Sequence, residues 1–254
     1  MKTALIGSTG FVGGNLQRQA AFDDGYHSRN IESLAGKSYD LIVCAGAPAV
    51  KWKANREPAE DRAQIERLIR AFGAARAEHV ILISTVDVYP VPIEVDERSE
   101  IDPEGGQPYG RHRFLLERFI ADRFEHTIIR LPGLFGRGLK KNIIYDLLHQ
   151  NAVDAINADS VFQFYHLDAL WEDIGRVRDR AIRLVNFATE PTSVRAIARD
   201  AFGRDFENAG QGVPARYDFR TTHAGIFGKT GAYMRTRSEV MKAMRRFVVE
   251  ETGG

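Results

Sequence analysis

Hydrophobic residues along this chain fall into short unbroken runs separated by stretches of helical period. Ala4-Leu5-Ile6, the run within residues 39–47 and the run entering residues 79–90 are bounded by glycine, proline and polar residues, and each reads as a buried strand of a parallel sheet. Tyr26-His-Ser-Arg-Asn30 takes the place of a second strand and its end, and Leu184-Val-Asn-Phe-Ala188 that of a late one. Between them the spacing predicts helices over roughly 15–21, over 63–72, where Ala63, Ile65, Leu68, Ile69 and Phe72 recur, and from Pro108, with Phe114, Leu115 and Phe119 on its apolar side. Later helices are expected over 139–149, 170–182, 194–202 and 237–249, with a strand at 215–219. Residues 48–55 have no clear period and read as a loop over the sheet edge, and the proline-bounded acidic stretch 91–107 reads as another. Strands alternating with helices give an α/β chain built on a doubly wound parallel sheet.

The first apolar run leads directly into Gly7-Ser8-Thr9-Gly10-Phe11-Val12-Gly13. Gly7 permits a tight turn, Gly10 lets the backbone approach a pyrophosphate, and Gly13 lets helix and strand pack closely while the helix N-terminus faces the anion. A turn that only links strand to helix is the alternative, but its place directly after an apolar strand makes it a Rossmann-like dinucleotide site. Ala45 and Gly46 end the strand over 39–47 in small residues that let a bound cofactor come close. An acidic residue about 20 positions beyond the glycines binds the ribose 2′-hydroxyl of NAD, whereas a basic one accommodates the 2′-phosphate of NADP. Here Asp23 and Asp24 precede the strand tyrosine and read as turn residues, while Ser28 and Arg29 follow it. The balance favours NADP(H) over NAD(H), with a solvated surface charge as the other reading of Arg29.

Composition narrows the partners. Lys and Arg total 35 against 34 for Asp and Glu, so the net charge of +1 gives no general attraction to nucleic acid or to an anionic membrane. No basic leader precedes an apolar run and no stretch approaches ~18 apolar residues, so the expectation is a cytoplasmic protein with a small-molecule substrate. Cys44 is the single cysteine and lies inside an apolar run, which leaves no disulfide framework or multi-thiolate metal site and marks it as a buried hydrophobe.

Chemistry is expected where the strand over 79–90 runs into Ser84, Thr85 and Asp87, since ligands of open parallel sheets bind beyond the C-terminal strand ends. Tyr109 and Arg113, four apart on the next helix, share a face. The Gly-x-x-Gly-x-x-Gly of Gly7 to Gly13, the Ser-Thr-x-x-Val-Tyr of Ser84 to Tyr89 and the Tyr-x-x-x-basic pair Tyr109/Arg113 come in the order of the extended short-chain dehydrogenases/reductases, the epimerase and dehydratase type. Arg130-Leu-Pro-Gly-Leu-Phe-Gly136 and Phe164-Tyr-His-Leu-Asp-Ala-Leu170 resemble later segments of that family.

This resemblance implies a dinucleotide-binding domain of residues 1–136 and 168–190 and a small, discontinuous substrate lobe of 137–167 and 191–254. It implies a nucleotide-activated sugar or related carbonyl compound as substrate, with Tyr109 as proton donor and acceptor and Thr85 holding the carbonyl oxygen. Asp87, Pro132 and Gly133 would meet the substrate, and Tyr109 and Arg113 would also reach the cofactor. Asp87 stands where the sugar dehydratases carry a glutamate base, yet Val86 replaces the polar residue before it, which ranks dehydration below reduction or epimerisation. His166 is read as lining of the lobe, Asp168 as a helix N-cap, and Lys140/Lys141 as either a phosphate contact or a solvated helix start. Pairing of two copies through the helices near 58–76 and 109–124 is the family's habit. The departure is Arg113, which replaces a lysine. Its planar, permanently charged fork cannot act as an ammonium point charge or relay a proton. A sensor or scaffold that binds a dinucleotide without turnover therefore stands as the alternative to a reductase or epimerase.

Overall fold

The computed structural model describes residues 1–210 and 212–253. Its centre is a six-stranded sheet of β1 (Thr3–Ile6), β2 (Asp24–Tyr26), β3 (Ser38–Cys44), β4 (Arg76–Thr85), β5 (His126–Leu131) and β9 (Leu184–Asn186), in the order β2-β1-β3-β4-β5-β9. Every pairing is parallel, for example Ile6 with Tyr26 on one side of β1 and with Cys44 on the other. The central runs of β1, β3, β4 and β5 are apolar because both faces are covered there. Ala4, Ile6, Ile42, Cys44, Val80, Leu82 and Ile128 pack with Ile65, Leu68 and Phe72 of α3 (Pro58–Gly73) and with Leu116 and Ile120 of α4 (Pro108–Arg123). The intervening Leu5, Leu41, Val43, Ile81 and Ile129, also buried, turn to the opposite face. Beyond the sheet strands, α1 (Phe11–Gln19) meets α6 (Leu170–Arg178), where Trp171 N–H donates to Gln19 and its ring meets Phe22 edge-on at 5.5 Å. This is the α/β, Rossmann-like, doubly wound architecture expected from the pattern, and its order reverses at β1, between β2 and β3, which opens a crevice at the C-terminal strand ends.

The chain divides into two compact units. The first is Met1–Val91, Arg98–Leu131 and Trp171–Asn186, which holds the sheet. A buried polar network ties its strand ends to α4: Ser84 donates to Glu117, Arg130 closes on both Glu117 oxygens and on the Tyr89 hydroxyl, and Tyr89 meets Asn186. The second comprises Pro92–Glu97, Pro132–Leu170 and the chain from Phe187 onward. It contains β6 (Gly133–Phe135) parallel to β8 (Phe164–His166), and β7 (Val161–Phe162) antiparallel to β10 (Thr192–Ser193). Around them α5 (Ile143–His149), α7 (Val194–Phe202) and α8 (Arg237–Thr252) bury Ile144, Leu147, Val194, Ile197, Met241, Met244 and Phe247.

Several elements differ from the sequence expectation for local reasons. Residues 48–55 are not all loop: α2 (Lys51–Arg56) forms there. The helix after the glycine turn starts at Phe11 rather than near residue 15. Strand β4 stops at Thr85, whose hydroxyl accepts the Asp87 N–H and bends Val86–Val88 into a 3-10 turn. Helix α5 starts only at Ile143, because the Asn142 side chain accepts from the Ile144 and Tyr145 N–H groups and so caps it, leaving Lys140 and Lys141 ahead of the helix. At 215–219 the chain makes only isolated bridges, Arg216 to Val161 and Asp218 to Ile93, instead of a strand. No helix among the described residues is long and apolar enough to cross a membrane.

Candidate active site

The glycine turn is shaped by backbone contacts that exclude side chains. Gly7 has φ +85, and a Cβ there would stand 2.3 Å from the Ala45 carbonyl oxygen. A Cβ on Gly13 would lie 2.0 Å from the Gly7 oxygen, so α1 rests directly on the turn, and one on Gly10 would be 3.2 Å from that same oxygen. A Cβ on Gly46 would press on Ile6 at 2.8 Å. Gly10 is the N-cap of α1, with no side-chain cap and no acidic residue in the first turn. The first amides, at Phe11, Val12 and Gly13, are thus left for an anion. Ser8 is buried and bonds the Tyr26 carbonyl, which fixes the turn, and Thr9 is exposed at its crest. These features fit a dinucleotide diphosphate.

Beside the turn lies a cleft of about 420 Å³, counting space open to solvent, lined in part by Gly7, His27, Ser28, Gly46, Gln64 and Arg67. It sits at the end of β2, where a ribose is read. Asp23 and Asp24 are at the other end of that strand: Asp23 accepts from Thr3, which lowers its pKa, and Asp24 accepts from the Tyr39 hydroxyl. Asp24 begins β2 itself rather than a turn. Arg29 is exposed in the turn after β2, one position beyond Ser28, and its N–H donates to the His27 ring. Cys44 is fully buried, which pushes its thiol up to about 12.

Tyr109 sits in the first turn of α4, after Pro108 at the helix start. Its N–H donates to Asn55 on α2 at 3.0 Å. The next residue, Gly110, has no side chain where a Cβ would be 1.9 Å from the Asp87 carbonyl oxygen, so α4 rests on the 3-10 turn that follows Thr85. Asp87 in turn accepts from Lys51 on α2 at 2.7 Å. Burial raises the Tyr109 pKa above its ordinary value; Arg113 and Lys51 oppose this, and Asp87 and Asp61 add to it.

Arg113 lies over the Tyr109 ring, its guanidinium carbon 3.9 Å from the ring centre. Its fork closes on Asp61 of α3 at 2.5 and 2.8 Å and also bonds the carbonyls of Pro48 and Tyr109. His112 meets the same carboxylate at 2.7 Å, and all three side chains are buried. Burial alone would raise the Asp61 pKa, but Arg113 and His112 hold it below the usual carboxylate range.

Thr85, Asp87, Tyr109 and Arg113 thus come together in the first unit, with Lys51, Asn55, Asp61 and His112, which the sequence reading did not single out. Asp61 carried a legible signal: with Ile65, Leu68 and Phe72 it lies on the buried side of α3, and a carboxylate on an apolar stripe needs a partner. Pro132 and Gly133 belong to the second unit, where Gly133 N–H donates to Gln163 O and its bare Cα accommodates the Phe164 ring. His166 stacks on Phe135 at 4.8 Å, and burial lowers its pKa. Asp168 is not the N-cap expected: the 3-10 turn Leu167–Ala169 is preceded by His166 and has no side-chain cap, and the Asp168 carboxylate lies 3.6 Å from the His166 ring. No cluster among the described residues could hold a metal ion.

No family model matches the sequence, and no curated protein matches it. Solved structures do. An NAD-dependent NDP-hexosamine 5,6-dehydratase involved in tunicamycin biosynthesis superposes with TM-score 0.75 at 16% identity, over 100% of this chain and 98% of that one. A dTDP-4-dehydrorhamnose reductase from Bacillus anthracis in complex with NADP gives 0.73 at 15%, over 98% and 99%. The UDP-glucose 4-epimerase of Thermotoga maritima with UDP-glucose gives 0.71 at 15%, over 100% of both chains. The chain therefore has the fold of the extended short-chain, NAD(P)-dependent epimerases, dehydratases and reductases.

Proposed function

We propose that this protein is an NAD(P)-dependent oxidoreductase or epimerase of a nucleotide sugar or related carbonyl compound, with Tyr109 as proton donor and acceptor. The observation that carries this reading is the packing of Gly110 on the Asp87 carbonyl, which brings Tyr109 to the strand end bearing Thr85, in the unit that also holds the uncapped glycine turn. Gly7 to Gly13, with Ala45 and Gly46, would hold the diphosphate, and Ser28 and Arg29 would meet the ribose, which favours NADP(H). Held there, a dihydronicotinamide would supply the hydride that reduces the carbonyl carbon.

Thr85 has its hydroxyl proton left to donate to the carbonyl oxygen, since the same oxygen accepts the Asp87 N–H. Tyr109 passes its phenol proton to that oxygen as the negative charge develops, and the phenolate recovers a proton from solvent. In the reverse direction the phenolate removes the proton, as epimerisation through a keto intermediate requires. Asp87, Pro132 and Gly133 are assigned to the substrate side, and two copies of the chain pair through α3 and α4.

The engagement of Arg113 by Asp61 favours a second reading, a dinucleotide-binding sensor without turnover, because that cation is already neutralised. Nicotinamide absorbance, followed with NADPH and a panel of keto-sugar nucleotides, separates the two. Oxidation that depends on Tyr109 supports the enzyme, and tight binding with no oxidation across the panel supports the sensor.

A further inference from the structure

The cation expected one helical turn beyond Tyr109 is spent elsewhere. Both terminal nitrogens of Arg113 face Asp61, and the guanidinium carbon lies over the Tyr109 ring, 3.9 Å from its centre. A charge so placed, cancelled by a carboxylate and 2% exposed, has little freedom to respond to a proton leaving the phenol.

A second cation reaches Tyr109 from another element. Lys51 and Asn55 are four apart on α2 and share a face. Asn55 accepts the Tyr109 N–H, which docks that face against the first turn of α4. Lys51 binds Asp87, whose carbonyl oxygen occupies the space left by the missing Gly110 side chain. Two independent contacts, one to the Tyr109 backbone and one to the turn beneath the next residue, therefore fix Lys51 beside Tyr109. Its side chain is 42% exposed and that of Asp87 20%, in contrast to the sealed Arg113–Asp61 pair.

We infer that Lys51, oriented by Asp87, supplies the ammonium charge that supports proton transfer by Tyr109, in place of the residue four positions along α4. Lys51 is a positioning residue, acting through the tyrosine. The inference rests on the acid-base reading of Tyr109. The charges that act on the phenol include Arg113 from its own helix, Lys51 from α2, Asp87 from the turn after β4 and Asp61 from α3. Since Arg113 and Asp61 are locked together, the exposed Lys51–Asp87 pair sets the balance. With Lys51 removed, Asp87 loses this ammonium partner and the phenol proton is held more tightly. With Asp87 removed, the ammonium loses this carboxylate and the proton leaves more readily.

The test reads the phenol directly as well as turnover. In protein carrying ring-labelled tyrosine, the Tyr109 carbon resonance, assigned by its loss in Tyr109→Phe, is followed through alkaline pH. Asp87→Asn is expected to lower the Tyr109 midpoint by about one pH unit and Lys51→Met in that background to reverse the shift, while Lys51→Arg in that background retains it. In turnover, Lys51→Met is expected to lower kcat about tenfold with little change in KM and move the pH profile to higher pH, while Lys51→Arg, which keeps the charge but not the compact ammonium, keeps the pH profile and loses less kcat. Equal Tyr109 midpoints in Asp87→Asn with and without Lys51→Met would overturn the inference. If no substrate turns over but the phenol follows Lys51 as described, the enzyme reading fails and the charge assignment stands. Should turnover depend on Tyr109 and not on Lys51, the inference fails and the enzyme reading stands.

Discussion

Asp61 on α3 holds both terminal nitrogens of Arg113 on α4, at 2.5 and 2.8 Å, across a separation of 52 residues. With His112 on the same carboxylate the group is buried, and Arg113 has no second carboxylate among its bonded partners, which are otherwise the Pro48 and Tyr109 carbonyls. Asp61→Asn is therefore expected to cost about 3–5 kcal/mol in chemical denaturation, because it strands a buried guanidinium. A loss within experimental error would show that the pair contributes nothing.

The same carboxylate gives a pH signature. Its pKa in the folded protein is lowered from 3.8, so in acid the unfolded chain binds the proton more readily than the native one. The contribution of Asp61 is fully present above about pH 4 and is lost as pH falls through the lower native value. Urea midpoints measured down this range should decline more steeply for the parent than for Asp61→Asn, and parallel slopes would contradict the assignment.

Two adjacent glycines in α1 should respond oppositely to alanine. Gly13→Ala puts a Cβ 2.0 Å from the Gly7 oxygen, whereas a Cβ on Gly14 meets nothing within 4 Å. Gly13→Ala is expected to abolish the calorimetric signal of dinucleotide binding and to destabilise by about 1–3 kcal/mol. Gly14→Ala should retain binding and gain about 0.5–1 kcal/mol.

Arg29 tests the cofactor preference. Arg29→Glu is expected to weaken NADP⁺ binding roughly fivefold to tenfold, the scale of one charge contact in water, and to leave NAD⁺ within twofold or so. Equal losses for both cofactors would remove the 2′-phosphate role. Loss confined to His27 or Arg67 variants would move it to those cleft residues.

At the centre of the site, Tyr109→Phe should reduce turnover by about 10²–10⁴-fold while dinucleotide affinity stays near that of the parent. Full activity in this variant would dismiss Tyr109 as the proton donor.

What the sequence disclosed follows from the range of the forces involved. The strand read over 79–90 stops at Thr85, because that side chain accepts the Asp87 N–H. The glycine turn and the start of α4 are set by near neighbours in the chain, and each could be read from a few residues. Lys51 could not, because α2 is only six residues long, too short to show a period, and is held by Asn55 bonding to Tyr109, 54 residues away. Asp168 illustrates the opposite error: an acidic residue before an apolar helix suggests a cap, but the chain turns through Leu167–Ala169 first and the carboxylate faces His166 instead. The late start of α5 is another local matter, decided by the Asn142 side chain and hidden behind a helical-looking run of residues.

The sheet of the first unit is closed by β9, yet residues 132–170 of the second unit come before that strand in the chain. A ribosome delivering this protein releases the glycine turn, Thr85 and Tyr109 long before the strand that pairs with β5. The nascent sheet must wait with Ile128, Ile129 and Arg130 unpaired on that edge, and any truncation short of Leu184 leaves the edge open for good. Fragments ending between Arg130 and Leu184 should therefore aggregate through β5, even though every residue assigned to the chemistry in the first unit is already present.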